Sequence, residues 1–120
     1  MVYSNLELER RDAIAVIRLN RPDRLNAFNA GLTLELADAT SEVAQDHTIR
    51  VVILTGSGRG FSAGADLQDR SGNWQDTEEA LMAGYRPSLV NIVDMPKPVI
   101  AAVNGPAAGV GAAFAMACDL

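Results

Sequence analysis

Residues 50–67 read RVVILTGSGRGFSAGADL, and this stretch decides the fold. Val51-Val52-Ile53-Leu54-Thr55 is a continuous apolar run, the pattern of a central strand covered on both faces. Gly56-Ser57-Gly58-Arg59-Gly60 then turns the chain. Phe61-Ser62-Ala63 is short enough to re-enter as a brief strand. Small residues in such a loop let a ligand approach the backbone closely.

Residues 98–113, PVIAAVNGPAAGVGAA, repeat the design. Val99–Val103 is a second buried strand, and Asn104-Gly105-Pro106 turns the chain. Gly109-Val110-Gly111 opens a helix of small residues that ends near Cys118. A helix N-terminus presents unpaired N–H groups carrying partial positive charge. Two such loops facing one another can hold an oxygen that gains negative charge, the geometry of an oxyanion hole. From spacing alone, ordinary tight turns between strands and helices are the leading alternative. A nucleotide site is the weaker alternative, because residues 56–60 match neither G-x-G-x-x-G nor a P-loop with its Lys-Ser/Thr.

On the N-terminal side, Leu6–Arg10 alternates apolar and charged residues, Arg11-Asp12 can turn, and Ala13–Leu19 follows as a more buried strand. This predicts a hairpin, ended by Pro22, which has no N–H for a ladder. Asn29 is a suitable N-cap for a helix through about Gln45, with Leu32, Leu36, Ala39 and Val43 on one face. Residues 68–76 are polar and predict an irregular, mobile segment. Thr77 can cap a further helix with Leu81, Tyr85, Leu89 and Ile92 on its buried face, and Pro87 inside it predicts a kink or break. Met95-Pro96-Lys97-Pro98 stops that helix. A hairpin followed by strand–helix alternation is an α/β pattern.

Composition bounds the function. The 120 residues suffice for one domain, and with 48% hydrophobic and 21% charged residues the balance is globular. Only 5% are aromatic, so the core must come mainly from Ala, Val, Leu and Ile. A net charge of −5 argues against a nucleic-acid partner, which needs a basic stripe. Cys118 is the one cysteine, so no disulfide framework points to secretion. No signal peptide is visible, and the apolar runs Val99–Val103 and Ala112–Cys118 are too short to span a bilayer. The expectation is a soluble cytoplasmic protein without a membrane partner.

Residues 21–28 (RPDRLNAF), 55–67 (TGSGRGFSAGADL) and 96–111 (PKPVIAAVNGPAAGVG) occur in this order and at this spacing. Together the chain resembles the enoyl-CoA hydratase/isomerase (crotonase) family over essentially its whole length. Members are roughly twice as long, so it resembles their N-terminal half. The resemblance implies a partial crotonase-like ββα spiral core over residues 1–120 and a coenzyme A thioester as substrate, with no bound cofactor. It also implies fatty acid metabolism as the setting and a homotrimer or hexamer for the intact protein.

Carried over residue by residue, the resemblance makes Ala65 and Val110 the two backbone oxyanion donors. A backbone donor tolerates a changed side chain, so valine at 110 is compatible. Ala63 would contact the amide-bearing arm of coenzyme A through its backbone. Leu25 and Ala27 would line the adenine and pantetheine path, and Arg24 would meet a phosphate or stand as a solvated surface arginine. Asp66, Leu67 and Gly109 complete the binding set, Asp66 mainly as a loop anchor or helix cap.

One departure matters. Hydratases of the family place a glutamate three positions after the second donor, and that position is Ala113 here. Their second glutamate falls beyond Leu120. Paired carboxylates act as general acid and base in hydration, so the pattern favours members that isomerise a double bond or an epoxide of an acyl-CoA. Two other readings stand beside this one: a non-catalytic acyl-CoA-binding or oligomerising member of the fold, and an inactive truncated fragment.

The remaining candidates read as structural. His47 suits a helix end at the surface, and Cys118 a packing position without a histidine to activate it. Met82, Met95 and Met116 read as core filler. Trp74 and Tyr85 suit the core or the border of an acyl pocket. Glu78 and Glu79 suit a solvated helix face, with acid/base work as the alternative because the resemblance sets this segment beside the acyl site. No Cys, His or Asp cluster has metal-ligand spacing.

Overall fold

The structure is a computed structural model that describes residues 1–69 and 77–120, with side chains described for 1–68 and 83–120. Strands β1 (Leu6–Arg11) and β2 (Ile14–Leu19) form the hairpin. The turn falls at Asp12-Ala13 rather than Arg11-Asp12, because Asp12 adopts the left-handed conformation (φ 52°) that a short acidic side chain tolerates. Helix α1 (Ala30–Gln45) leads to β3 (Val51–Gly56), helix α2 (Thr77–Val93) to β4 (Val99–Ala102), and helix α3 (Val110–Ala117) follows. The sheet order is β1-β2-β3-β4, with β1 antiparallel to β2 and the other neighbours parallel.

Period-2 burial decides which face packs. Ala15, Ile17 and Leu19 on β2, Val52 and Leu54 on β3, and Val99 on β4 are all buried. They meet Leu32, Leu36, Ala39 and Val43 of α1, Ile92 of α2 and Phe114 of α3 in one core. The expectation that β3 is covered on both faces fails: Val51 and Ile53 are only half-buried. The helices lie on one side of the sheet, so the apolar run overstates the cover. The core is mainly aliphatic as expected, and Phe28, Phe61 and Phe114 are buried in it.

Asn29 caps α1, its side-chain oxygen accepting from Leu32 N at 2.8 Å. At the other end, Lys97 Nζ donates to the carbonyls of Val43 (2.7 Å) and Asp46 (2.9 Å), a cation serving the negative end of the helix. Buried Glu35 accepts from the amides of Ser4 and Asn5, which ties the N-terminal segment to α1. Pro87 does not break the element into two: α2 runs as one helix from Thr77 to Val93. Met95 packs against the core, but Met116 is 78% exposed, which corrects its assignment as core filler. Hydrophobicity without a facing partner did not bury it. Residues 70–76, with Trp74, lie outside the described residues, and so do the side chains of Glu78, Glu79, Leu81 and Met82.

Candidate active site

Strands β2, β3 and β4 run parallel, so the loops that follow them emerge at one end of the sheet. These loops are residues 20–29, 57–66 and 103–109, the segments singled out by sequence. Crevices at the C-terminal ends of parallel strands are where α/β folds place ligands.

Two glycines bring the loops together. A Cβ at Gly64 would lie 3.0 Å from Ala108 O and 3.6 Å from Gly109 Cα. Gly64 has φ 98° and Gly109 φ 56°, conformations that favour glycine. A Cβ at Gly111 would lie 2.6 Å from Ser62 O, so α3 also starts against the other loop at backbone distance. The Ser62–Ala107 bridge joins the loops just upstream, Ser62 N donating to Pro106 O and Ala108 N to Ser62 O.

Ala65 and Val110 each follow one of the touching glycines. Each of their amide groups is held through its own carbonyl. Gly64 O accepts from Phe28 N at 2.7 Å, and Gly109 O accepts from Ala113 N at 3.1 Å. In a trans peptide the N–H points opposite to the C=O, so both N–H groups face away from the bonds that fix them. Neither has a hydrogen-bond partner among the described residues. Val110 is the first residue of α3, where an N–H has no intrahelical acceptor.

Buried polar side chains brace the loops. Asn26, fully buried at φ 55°, accepts from Arg21 N (2.8 Å) and donates to Ser57 O and Gly60 O (2.9 Å each). From the other side, Asn104 accepts from Gly56 N (3.1 Å) and donates to Gly58 O (3.0 Å) and Gly60 O (3.1 Å). Ser62 Oγ donates to Asn26 O at 2.9 Å. None of these three had been singled out from the sequence. An asparagine inside a turn-forming motif is a weak signal that a left-handed residue is needed there.

Asp66 is an anchor. Its carboxylate accepts from Gln68 N (3.0 Å) and from Arg21 Nη1 (3.1 Å), while Arg21 Nη1 also donates to Ala27 O (2.5 Å). Burial alone would raise the Asp66 pKa, but the Gln68 amide and the Arg21 side chain outweigh it and the net shift is downward. An ionised carboxylate with both oxygens occupied is no proton donor at neutral pH. Arg21 was another residue missed by sequence, its partner lying 45 positions away.

The other carried-over residues border the same end. Ala63 N donates to Leu25 O at 2.9 Å, which leaves the Ala63 carbonyl for other contacts. Leu25 is half-buried in the left-handed region at φ 51°. Ala27 is buried, so it backs the wall and offers little surface to a ligand path. Arg24 is exposed and bonds the Gln68 side chain, and Leu67 is exposed. Tyr85 packs edge-on to Phe28 and Phe114. Ala113 presents only a methyl group, and α3 contains no acidic residue.

Other titratable groups lie elsewhere. His47 is exposed just beyond α1 and, with Ile49, Arg50 and Lys97, lines a hollow of about 380 Å³ at the opposite end of the sheet. Cys118 Sγ donates to Phe114 O, and its pKa is pushed up to about 11, first by burial and then by Asp119. That thiol is protonated and unreactive at neutral pH. Among the described residues no three His, Cys, Asp or Glu side chains group to hold a metal ion, and no helix is long and apolar enough to cross a membrane.

Comparison with known proteins gives the family. The chain is 44% identical over 111 residues to 1,2-epoxyphenylacetyl-CoA isomerase of Escherichia coli, covering 89% of this chain and 42% of the relative. It is 42% identical over 120 residues to a probable enoyl-CoA hydratase of Rhodobacter capsulatus, covering 100% of this chain and 46% of that protein. The crystal structure of enoyl-CoA hydratase from Bacillus anthracis superposes with a TM-score of 0.91 at 34% identity, over 98% of this chain and 46% of that one. The chain thus spans less than half the length of these relatives. Residues 9–120 match the Enoyl-CoA hydratase/isomerase family itself, and the chain belongs to that family.

Proposed function

We propose that this protein works on acyl-CoA thioesters, with the N–H groups of Ala65 and Val110 both donating to the thioester carbonyl oxygen. One observation carries the reading: two unpartnered amides, each fixed through its own carbonyl, follow two glycines that touch. When a base, which neither Asp66 nor α3 supplies, takes the proton from the carbon beside the carbonyl, negative charge moves onto that oxygen. Fixed donors stabilise that charge more in the transition state than in the ground state, and losing one costs on the order of 10²–10³ in rate. Leu25, Ala63, Leu67 and Gly109 would border the coenzyme A arm, Arg24 its phosphates, and Ala27 would back that wall. Asp66 would hold the loop rather than move protons.

Isomerisation of an acyl-CoA double bond or epoxide is the favoured reaction. Ala113 stands where hydratases of the family are expected to carry a glutamate, and α3 supplies no other acid. The likeness to an epoxyacyl-CoA isomerase supports the same choice. The test is incubation of the protein with butyryl-CoA in heavy water. Saturable binding with exchange of the protons beside the carbonyl is the expected result. Binding without exchange would favour the second reading, an acyl-CoA-binding member without catalysis, which Ala113 also motivates. Neither binding nor exchange would overturn both.

A further inference from the structure

We infer that Phe28 and Phe114 are positioning residues whose stacked rings set the spacing between the Ala65 and Val110 amides; the inference rests on the thioester reading above. The Phe28 backbone grips the first donor on both sides. Its N–H holds Gly64 O at 2.7 Å and its carbonyl accepts Asp66 N at 2.9 Å. Phe114 lies one helical turn after Val110, the second donor, on α3. The two rings stack with centroids 5.0 Å apart and 15° between planes, and both are buried. Tyr85 of α2 closes edge-on to both, at 5.8 Å and 6.3 Å.

Where Gly64 meets Ala108 and Gly109, the contact is backbone on backbone and offers no interlocking side chain. Sliding of one donor segment past the other is resisted upstream by the Ser62–Ala107 bridge and by the Asn104 bonds to Gly58 O and Gly60 O. On the core side the ring pair resists it. Stacked planes fix both separation and tilt, whereas a branched aliphatic side chain of similar bulk fixes neither. A donor pair needs its spacing held to a fraction of an ångström to meet one oxygen.

The test uses butyryl-CoA labelled with ¹³C at its carbonyl, bound to the unaltered protein and to Phe28→Leu, Phe114→Leu and the double variant. Vibrational spectra report the carbonyl stretch, titration reports affinity, and a melting curve reports folding. The unaltered protein should lower the stretch. Each single variant should stay folded and keep its affinity, yet lose most of that downshift. Its proton exchange should slow about tenfold, below the ~10²-fold cost of a 1 Å misplacement. The double variant should lose no more than either single one, because both act on one distance. Should Phe114→Leu not fold, Phe114→Met carries the same test. Folded variants with the full downshift would overturn the positioning role and leave the thioester reading standing. Affinity and downshift falling together would reduce the rings to structural filler. No downshift in the unaltered protein would overturn the thioester reading and this inference with it.

Discussion

The two ends of the sheet are made by the same strands and are equipped in opposite ways. At the C-terminal ends of β2, β3 and β4, the loops carry glycines, alanines and bracing asparagines, and beside exposed Arg24 and Arg59 the amides of Ala65 and Val110 have no partner among the described residues. At the N-terminal ends of β3 and β4 sit His47, Arg50 and Lys97, residues with obvious side-chain chemistry. Yet Lys97 is committed to two carbonyls of the α1 terminus. A search for reactive side chains would choose this end, away from the proposed donors. The lesson is that a site built to hold a developing anion can consist of peptide groups, and its side chains serve to fix them.

The sharpest way to break this contrast is to remove one backbone donor. Val110 opens α3, the position where proline is best tolerated. Val110→Pro should slow acyl-CoA proton exchange by about 10²–10³ while the melting transition stays near that of the unaltered protein. An unchanged rate would break the contrast.

Next in size is the bracing. Asn26→Ala leaves part-buried Ser57 O and Arg21 N without their partner, while Gly60 O keeps its bond from Asn104. Each buried group left unpaired costs about 1–3 kcal/mol, so a loss of about 2–3 kcal/mol is expected in denaturant unfolding. Asn104→Ala should cost less, because Asn104 is exposed and water can replace it.

A smaller effect tests the Arg21–Asp66 anchor. The Asp66 pKa is lower folded than unfolded, so its stabilising contribution is present above the unfolded value of about 3.9 and is lost as pH falls through the folded one. Asp66→Asn should lower stability at pH 7 and flatten its decline below about pH 4. Identical pH profiles would remove the anchor from the account. Smallest of all, Arg50→Ala and His47→Ala at the opposite end should each change stability by less than about 0.5 kcal/mol and leave proton exchange untouched.

Much of this was legible in the sequence, for local reasons. The hairpin, the Asn29 cap and the apolar face of α1 depend on neighbours within a few residues. The two small-residue loops were legible as possible anion sites, and the family resemblance gave them a substrate. What stayed hidden depends on distant partners. Asn26 reaches residues 57 and 60, Arg21 reaches 66, and the Phe28 ring meets Phe114 across most of the chain. Exposure was misread for the same reason. Met116 and the second face of β3 look like core until the sheet is seen to carry helices on one side only. The break into two helices expected at Pro87 does not occur, and α2 runs through it.

The central claim is that the Ala65 and Val110 amides grip one thioester oxygen. Its most direct measurement is a titration of the ¹⁵N-labelled protein with butyryl-CoA, followed by the amide proton shifts of those two residues. The account predicts that both move downfield as the site fills and that free coenzyme A moves neither. Saturation with butyryl-CoA that leaves both amides in place would contradict it.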